Sequence, residues 1–207
     1  MKNKKIKLNL GCASRLLPEY INIDMDSLET IKNRYPNIEL SADNETEFLQ
    51  CNILKLPFAD GTVDEVRADA LVEHLSFLEE PKFFYEIKRV LKSGGLLDFA
   101  VPDFEEIVKK WLAAKDDWKE FFRNDEEAIK QQHWFGQYSY STDSRWGYLT
   151  AAIFGPQNSL GQFHKNAYTI PKIKAVCKKL NFNEPQIENF LWKGDRDLMI
   201  RVRATKK

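Results

Sequence analysis

Cysteine is scarce in this 207-residue chain. There are three, Cys12, Cys51 and Cys177, an odd number spread too widely for a disulfide framework. No CxxC pair or Cys/His cluster accompanies them, so no metal site is expected and a reducing compartment fits best. Net charge is absent: Lys+Arg and Asp+Glu each number 31. Without a phosphate-neutralising excess, the chain does not read as a dedicated duplex nucleic-acid binder. Long hydrophobic runs are absent too. No window approaches the ~20 apolar residues of a membrane span. The stretch after Lys2, Lys4 and Lys5 is broken by Lys7 and Asn9, short of the ~7–15-residue apolar core of a secretion signal. Repeats and low-complexity tracts are missing. The expectation is a cytoplasmic, soluble protein without a membrane or nucleic-acid partner, of open oligomeric state.

What is present is an ordinary globular mixture, 43% hydrophobic and 30% charged. A chain of this size can bury about 70% of its extended surface, enough for one domain without staples. The charge balance hides an asymmetry. Residues 1–130 carry 19 basic and 26 acidic side chains, whereas 131–207 carry 12 and 5. A basic C-terminal third favours an anionic substrate, although an idle surface dipole explains it equally well.

The first half alternates short apolar runs with helical patterns, the sign of an α/β domain. Strands are expected at residues 5–10, 20–23, 47–53, 63–68 and 96–101. The run at 96–101 is almost unbroken in apolar character, as in a strand buried on both faces. A short helix is expected at 27–34 with Ser27 as its cap. The clearest helix covers 81–91, with Phe83, Phe84, Ile87, Val90 and Leu91 on one face. Ser93-Gly94-Gly95 should cap it. A charged helical stretch is expected from 103 to about 132. From His133 to Lys165 many aromatics sit among Gly, Ser and Gln with no period. A last helix at 169–180, with Thr169 as cap and Pro171 in its first turn, precedes an antiparallel pair at 187–192 and 198–204.

The chemistry-bearing residues begin at Leu8-Asn9-Leu10-Gly11-Cys12-Ala13-Ser14, where a strand runs into a loop of small residues that lets a ligand approach the backbone. Asp24 ends the next strand, at the edge where doubly wound sheets bind ligands, and a carboxylate there can accept both hydroxyls of a ribose. The loop lacks GxGxxG and a P-loop lysine, which disfavours a pyrophosphate cofactor. Further on come Cys51-Asn52-Ile53-Leu54-Lys55-Leu56-Pro57-Phe58-Ala59-Asp60-Gly61, then Glu73-His74-Leu75, then Ser93-Gly94-Gly95. In order and spacing this set resembles the class I S-adenosylmethionine-dependent methyltransferases. The resemblance covers residues 5–102 closely, is fainter over 169–204 and is uninformative between.

The resemblance implies a Rossmann-like α/β fold: a mostly parallel seven-stranded sheet with a C-terminal antiparallel hairpin, in one domain over residues 1–207. Residues 103–165 would be a helical and aromatic cap insertion. It implies S-adenosylmethionine as cofactor and S-adenosylhomocysteine as product. Leu10, Gly11, Cys12 and Ala13 would line the methionine part, Asp24 the ribose, and Met25, Asn52, Ile53 and Leu54 the adenine. Asp69 would lie near the methyl-donor end. Three departures stand out. Ala13 replaces a usual Gly and is tolerable only at negative φ. Asn9 stands where an acidic residue is common. Asn52 replaces an Asp, although its amide oxygen can still accept from the adenine amino group. The link between the first two strands is also too short for a full helix.

Histidine is the natural base near neutral pH, and the chain has three. His74 and His164 are the catalytic candidates, and His133, Tyr140, Trp146 and His164 the substrate candidates within a flap over the acceptor. Each has a bland alternative: His74 as a loop-bonding residue, the aromatics as packing, Cys12 as a small apolar residue and not a nucleophile, Arg145 and Lys165 as solvated charges. The expected function is methyl transfer from S-adenosylmethionine to O or N of a small-molecule acceptor, of the saccharide or anionic-metabolite kind. The alternative is a catalytically inactive nucleoside-binding module of the same fold, which the motif departures favour. A dinucleotide oxidoreductase is disfavoured by the missing GxGxxG, and base methylation by the missing Asn/Asp-Pro-Pro-Tyr/Phe motif.

Overall fold

The computed structural model describes residues 5–36, 46–118, 122, 124–126, 142–157, 160–192 and 197–207. Seven strands form one sheet: β1 (Lys7–Leu10), β2 (Ile21–Asp24), β3 (Glu47–Gln50), β4 (Val63–Asp69), β5 (Leu91–Pro102), β6 (Gln186–Trp192) and β7 (Asp197–Thr205). Their order is β3-β2-β1-β4-β5-β7-β6. The first five are mutually parallel and β7 is antiparallel to both its neighbours. Strand order therefore reverses between β1 and β4. A crevice opens at their carboxyl ends, where an open α/β sheet takes its ligand.

The helices are α1 (Leu28–Arg34), α2 (Glu79–Val90), α3 (Phe104–Ala113), α4 (Thr150–Phe154) and α5 (Ile170–Lys179). Single turns lie at Val72–His74 and Leu160–Gln162. Caps set several starts: the side chains of Ser27, Asp103 and Thr169 accept the N–H groups of Thr30, Glu106 and Lys172. Phe83, Phe84, Ile87 and Val90 form the buried face of α2, each contributing roughly 1.5–3 kcal/mol of apolar burial. They pack in one core with Leu8 and Leu10 of β1, Val66 of β4 and Phe99 of β5. No helix among the described residues is long and apolar enough to cross a membrane.

Two local expectations are corrected. Ser93-Gly94-Gly95 does not cap α2, because Leu91 is already extended at the helix end. The triplet is a kink inside β5, where the strand's pairing with β4 jumps in register. Gly94 there, at φ +75°, donates its N–H to the Lys206 carbonyl, and Lys206 donates to the Gly95 carbonyl. Partners from the far end of the chain override the local stop signal. The helix expected to run from 103 to about 132 ends at Ala113. Beyond it Lys115 bonds to Asp143 and Arg145 to Lys115 through the backbone, so long-range pairing takes the chain out of the helical path. Much of 119–141 lies outside the described residues.

Candidate active site

The loop after β1 forms one wall of the crevice. Gly11 has φ +60°, a conformation that favours glycine, and a Cβ there would come within 2.6 Å of Leu71 Cδ1, so the Leu71 side chain would have to give way. Ala13 is at φ +41°. This corrects the negative φ that its methyl group called for; the chain holds a left-handed alanine where glycine would be relaxed. Its N–H is fixed by Asp24 Oδ2 at 2.9 Å, while Asp24 Oδ1 accepts the Asp26 N–H at 3.0 Å. Each carboxylate oxygen keeps a lone pair for a hydroxyl. Cys12 is buried, and burial followed by the charge of Asp24 pushes its thiol up to about 12. It stays a thiol, not a nucleophile.

No helix joins β1 to β2. Two buried asparagines shape the link instead. Asn9 Nδ2 donates to the Arg15 carbonyl and to Asn22 Oδ1. Asn22 Oδ1 also accepts from Leu17 N–H, and its Nδ2 donates to the carbonyls of Leu17, Tyr20 and Glu47. Asn9 departs from the family's acidic residue because it needs to donate, which a carboxylate cannot do.

The ends of β2 and β3 supply the next ledge. Met25 is 70% exposed and receives Gln50 Nε2 on its carbonyl. Asn52 Oδ1 accepts the Leu54 N–H at 2.9 Å, closing an Asx turn and leaving one lone pair. Ile53 and Leu54 pack against the core. The Leu56-Pro57-Phe58 turn beyond them is clamped to α2: Glu86 accepts the Leu56 N–H, and Arg89 donates to the carbonyls of Leu56 and Phe58 and to Asp60.

A cavity of about 480 Å³ opens beside this wall, in the size range of small-molecule sites. Gly11, Cys12, Ala13 and Asp69 line it; Leu10, Asp24, Met25, Asn52, Ile53 and Leu54 do not, standing instead on the adjoining strand ends. Asp69 is first of all an ion-pair centre. Its carboxylate takes Arg67 Nε at 2.7 Å, Arg201 Nη2 at 3.1 Å and Arg15 Nη1 at 3.4 Å. Arg201 also bonds Asp98, and the Arg15 guanidinium lies 4.3 Å over the Trp192 ring.

The same cavity is also lined by Glu73, His74 and His164. The two imidazoles meet edge to face at 5.0 Å, although 90 positions separate them in sequence. His74 Nδ1 bonds the Phe163 carbonyl at 3.0 Å and His164 Nδ1 the Ala152 carbonyl at 3.1 Å. A carbonyl only accepts, so each Nδ1 carries hydrogen and each Nε2 is left with its lone pair. Burial lowers both: His164 falls to about 4, with neighbouring His74 adding to the effect. Both are neutral at pH 7. Glu73 is 2% exposed, and burial pushes it up to about 8. Its Oε2 has no hydrogen-bond partner among the described residues. Among those residues Glu73, His74 and His164 are the group whose donor atoms, within 4.8 Å of one another, can hold a cation.

Trp146 is corrected. It does not line the cavity but stacks on Trp118 at 4.9 Å, and its Nε1 donates to Asp116. Tyr148, two residues on, takes the wall position and bonds Asp197. Arg145 is absorbed at the end of α3, donating to the carbonyls of Trp111 and Leu112, and Lys165 pairs with Glu79 at 4.0 Å. His133 and Tyr140 lie outside the described residues. Sequence reasoning missed Glu73 and Arg15. The signal for Glu73 was present: an acid beside a histidine inside the apolar run Leu71-Val72-Glu73-His74-Leu75.

Residues 8–99 match the methyltransferase domain family. A probable S-adenosylmethionine-dependent methyltransferase of Mycobacterium tuberculosis is 30% identical over 96 residues, 45% of this chain and 30% of that protein. The match thus spans less than a third of the curated relative. A Pyrococcus horikoshii protein of solved structure superposes with a TM-score of 0.58 at 17% identity, covering 100% of this chain and 84% of its own. The Burkholderia thailandensis 1,6-didemethyltoxoflavin-N1-methyltransferase, solved with 1,6-didemethyltoxoflavin and S-adenosylhomocysteine bound, gives 0.57 at 10% identity, covering 98% and 71%. Residues 8–99, somewhat less than half of the chain, are thus similar to a methyltransferase domain, and the whole sheet has the Rossmann-like fold of the solved structures it superposes on.

Proposed function

We propose that the protein transfers a methyl group from S-adenosylmethionine to an oxygen or nitrogen of a small-molecule acceptor. One observation carries this reading: a single cavity is lined both by the Gly11–Ala13 loop and by Glu73, His74 and His164. The cofactor supplies an already activated sulfonium methyl. Asp24 holds the ribose hydroxyls with its remaining lone pairs, and Met25, Asn52, Ile53 and Leu54 form the ledge for the adenine. Residues 103–165 act as a cap within one domain: Tyr148, Ala152 and His164 come from it and close the acceptor end against water. The chain's main task is placement of the acceptor at ~3–3.5 Å from the methyl carbon. The bare Nε2 atoms of His74 and His164 face the proton that the acceptor must lose. Arg15 lines the cavity and supports an acceptor that is anionic, such as an acidic saccharide or metabolite.

The test has two parts. Calorimetry with S-adenosylhomocysteine should give one site per chain. Label from methyl-labelled S-adenosylmethionine should then pass to a member of a panel of hydroxylated and anionic small molecules. No binding defeats the cofactor assignment. Binding with no turnover on any acceptor identifies the nucleoside-binding module instead.

A further inference from the structure

We propose that Glu73, His74 and His164 form a binding site for one divalent transition-metal ion of the zinc class, open on the cavity side. The inference deepens the function proposed above, but it rests on that reading only for what the ion does. Two independent observations carry it. The first is the side-chain set: two imidazoles and a carboxylate present donor atoms within 4.8 Å of one another. Both rings are keyed by Nδ1–H bonds to backbone carbonyls, from Phe163 and from Ala152. Such a bond on the far nitrogen is what fixes the tautomer and aim of a metal-ligating histidine. The second is the orphaned Glu73 Oε2, buried with no hydrogen-bond partner among the described residues. Glu73, buried and lining the same cavity as both imidazoles, gains a partner for this oxygen when a cation takes the place of its proton.

Imidazole and carboxylate ligands together select zinc, iron or similar ions over magnesium and calcium, which prefer all-oxygen shells. Around one such ion at ~2.0–2.2 Å, tetrahedral ligands stand ~3.4 Å apart. The three donors therefore close by roughly 1 Å, within the reach of side-chain rotation. Three protein ligands leave a position open, as in catalytic sites. All three residues line the 480 Å³ cavity, so the open position takes an oxygen of the acceptor. The ion then acidifies and orients a hydroxyl, and the imidazoles work through it and not as free bases. A second, much smaller space of about 10 Å³ adjoins Glu73, His164 and Asn166. That space has the size of one water, the rival occupant beside Glu73.

Chelator-stripped protein titrated with zinc chloride, in the absence of cofactor, should bind one equivalent. His164→Ala and Glu73→Gln should each weaken it by at least about tenfold. The cobalt-loaded wild type should show the visible absorption of a nitrogen- and oxygen-bound ion, reduced in both variants. Glu73→Gln keeps the shape of the buried side chain, and a crystal soaked in zinc needs no variant at all: an anomalous peak among the three residues is expected. Zinc binding that the variants leave unchanged, no binding by the wild type, or an ordered water with no anomalous signal beside Glu73 overturns the proposal. S-adenosylhomocysteine affinity of the same sample keeps the readings apart. Zinc without nucleoside binding fails the methyltransferase reading alone, and nucleoside without zinc binding fails the metal site alone.

Discussion

The two ends of the cavity are built by different means. At the Gly11–Ala13 end the contacts are backbone and short-range: a left-handed glycine, a left-handed alanine and a carboxylate from the adjacent parallel strand, 11 positions on from the alanine N–H it holds. Around Glu73, His74 and His164 they are side chains, one buried acid and two half-buried imidazoles, drawn from segments 90 positions apart. Lys165 and Asn166 are anchored by their N–H groups to the Glu73 carbonyl, so the cap residues are tied to the chain just beyond β4 beside the acid they accompany. The first end can be assembled as soon as β1 and β2 pair. The second exists only once the cap has docked. On the proposed function, such a division lets the acceptor-facing residues change while the Gly11–Ala13 loop stays fixed.

The same division orders the expected effects of mutation. Asp69 belongs to neither end by chemistry, yet it ties β4 to β7 and to the β1–β2 link. Asp69→Ala removes the carboxylate that half-buried Arg67 and Arg201 share, Arg201 keeping Asp98, and should cost about 2–3 kcal/mol of stability, read by denaturant unfolding. Unchanged stability with lost cofactor affinity would instead move Asp69 to the cofactor wall. Asp24→Ala should weaken S-adenosylhomocysteine binding by about 1.5–3 kcal/mol in calorimetry and leave zinc binding untouched. A loss at both ends would break the proposed independence. Asn52→Leu, which removes the Asx turn and its adenine-facing oxygen, should cost about 1 kcal/mol of the same affinity, whereas Asn52→Asp should hold or improve it. Equal binding by the leucine variant removes Asn52 from the adenine site. Ala13→Gly should relax the left-handed backbone and raise stability by about 0.5–1 kcal/mol, net of glycine's extra entropy, seen as a higher melting temperature. A lower one would mean that the alanine methyl group packs to more effect than its strain costs.

Most of the sheet was legible because its signals are local. Period-two runs, the Ser27 and Thr169 caps and the Gly11 loop each act within a few residues, and the structure places strands and helices at those positions to within a few residues. The failures share one cause. Ser93-Gly94-Gly95 is a sound helix stop by composition, but Lys206 offers it backbone partners that no local pattern contains. The helix breaks after Ala113 in the same manner, where Asp143 and Arg145 offer Lys115 backbone partners. Trp146 was read as a cavity wall from its place in an aromatic segment, but Trp118 and Asp116 hold it elsewhere.

The sequence by itself determined the α/β class, the strand-loop-Asp24 arrangement and the resemblance that leads to S-adenosylmethionine, because hydrophobic period and small-residue loops are properties of neighbouring residues. Only the tertiary structure decided that Ala13 is left-handed, that Asn9 and Asn22 replace a helix, and that Asp69 sits among three arginines. It alone brought Glu73 and His74 to His164 and left one buried carboxylate oxygen unpaired. Those outcomes depend on which distant groups remain to satisfy a buried polar atom, and that is settled by the docking of the cap and hairpin on the sheet.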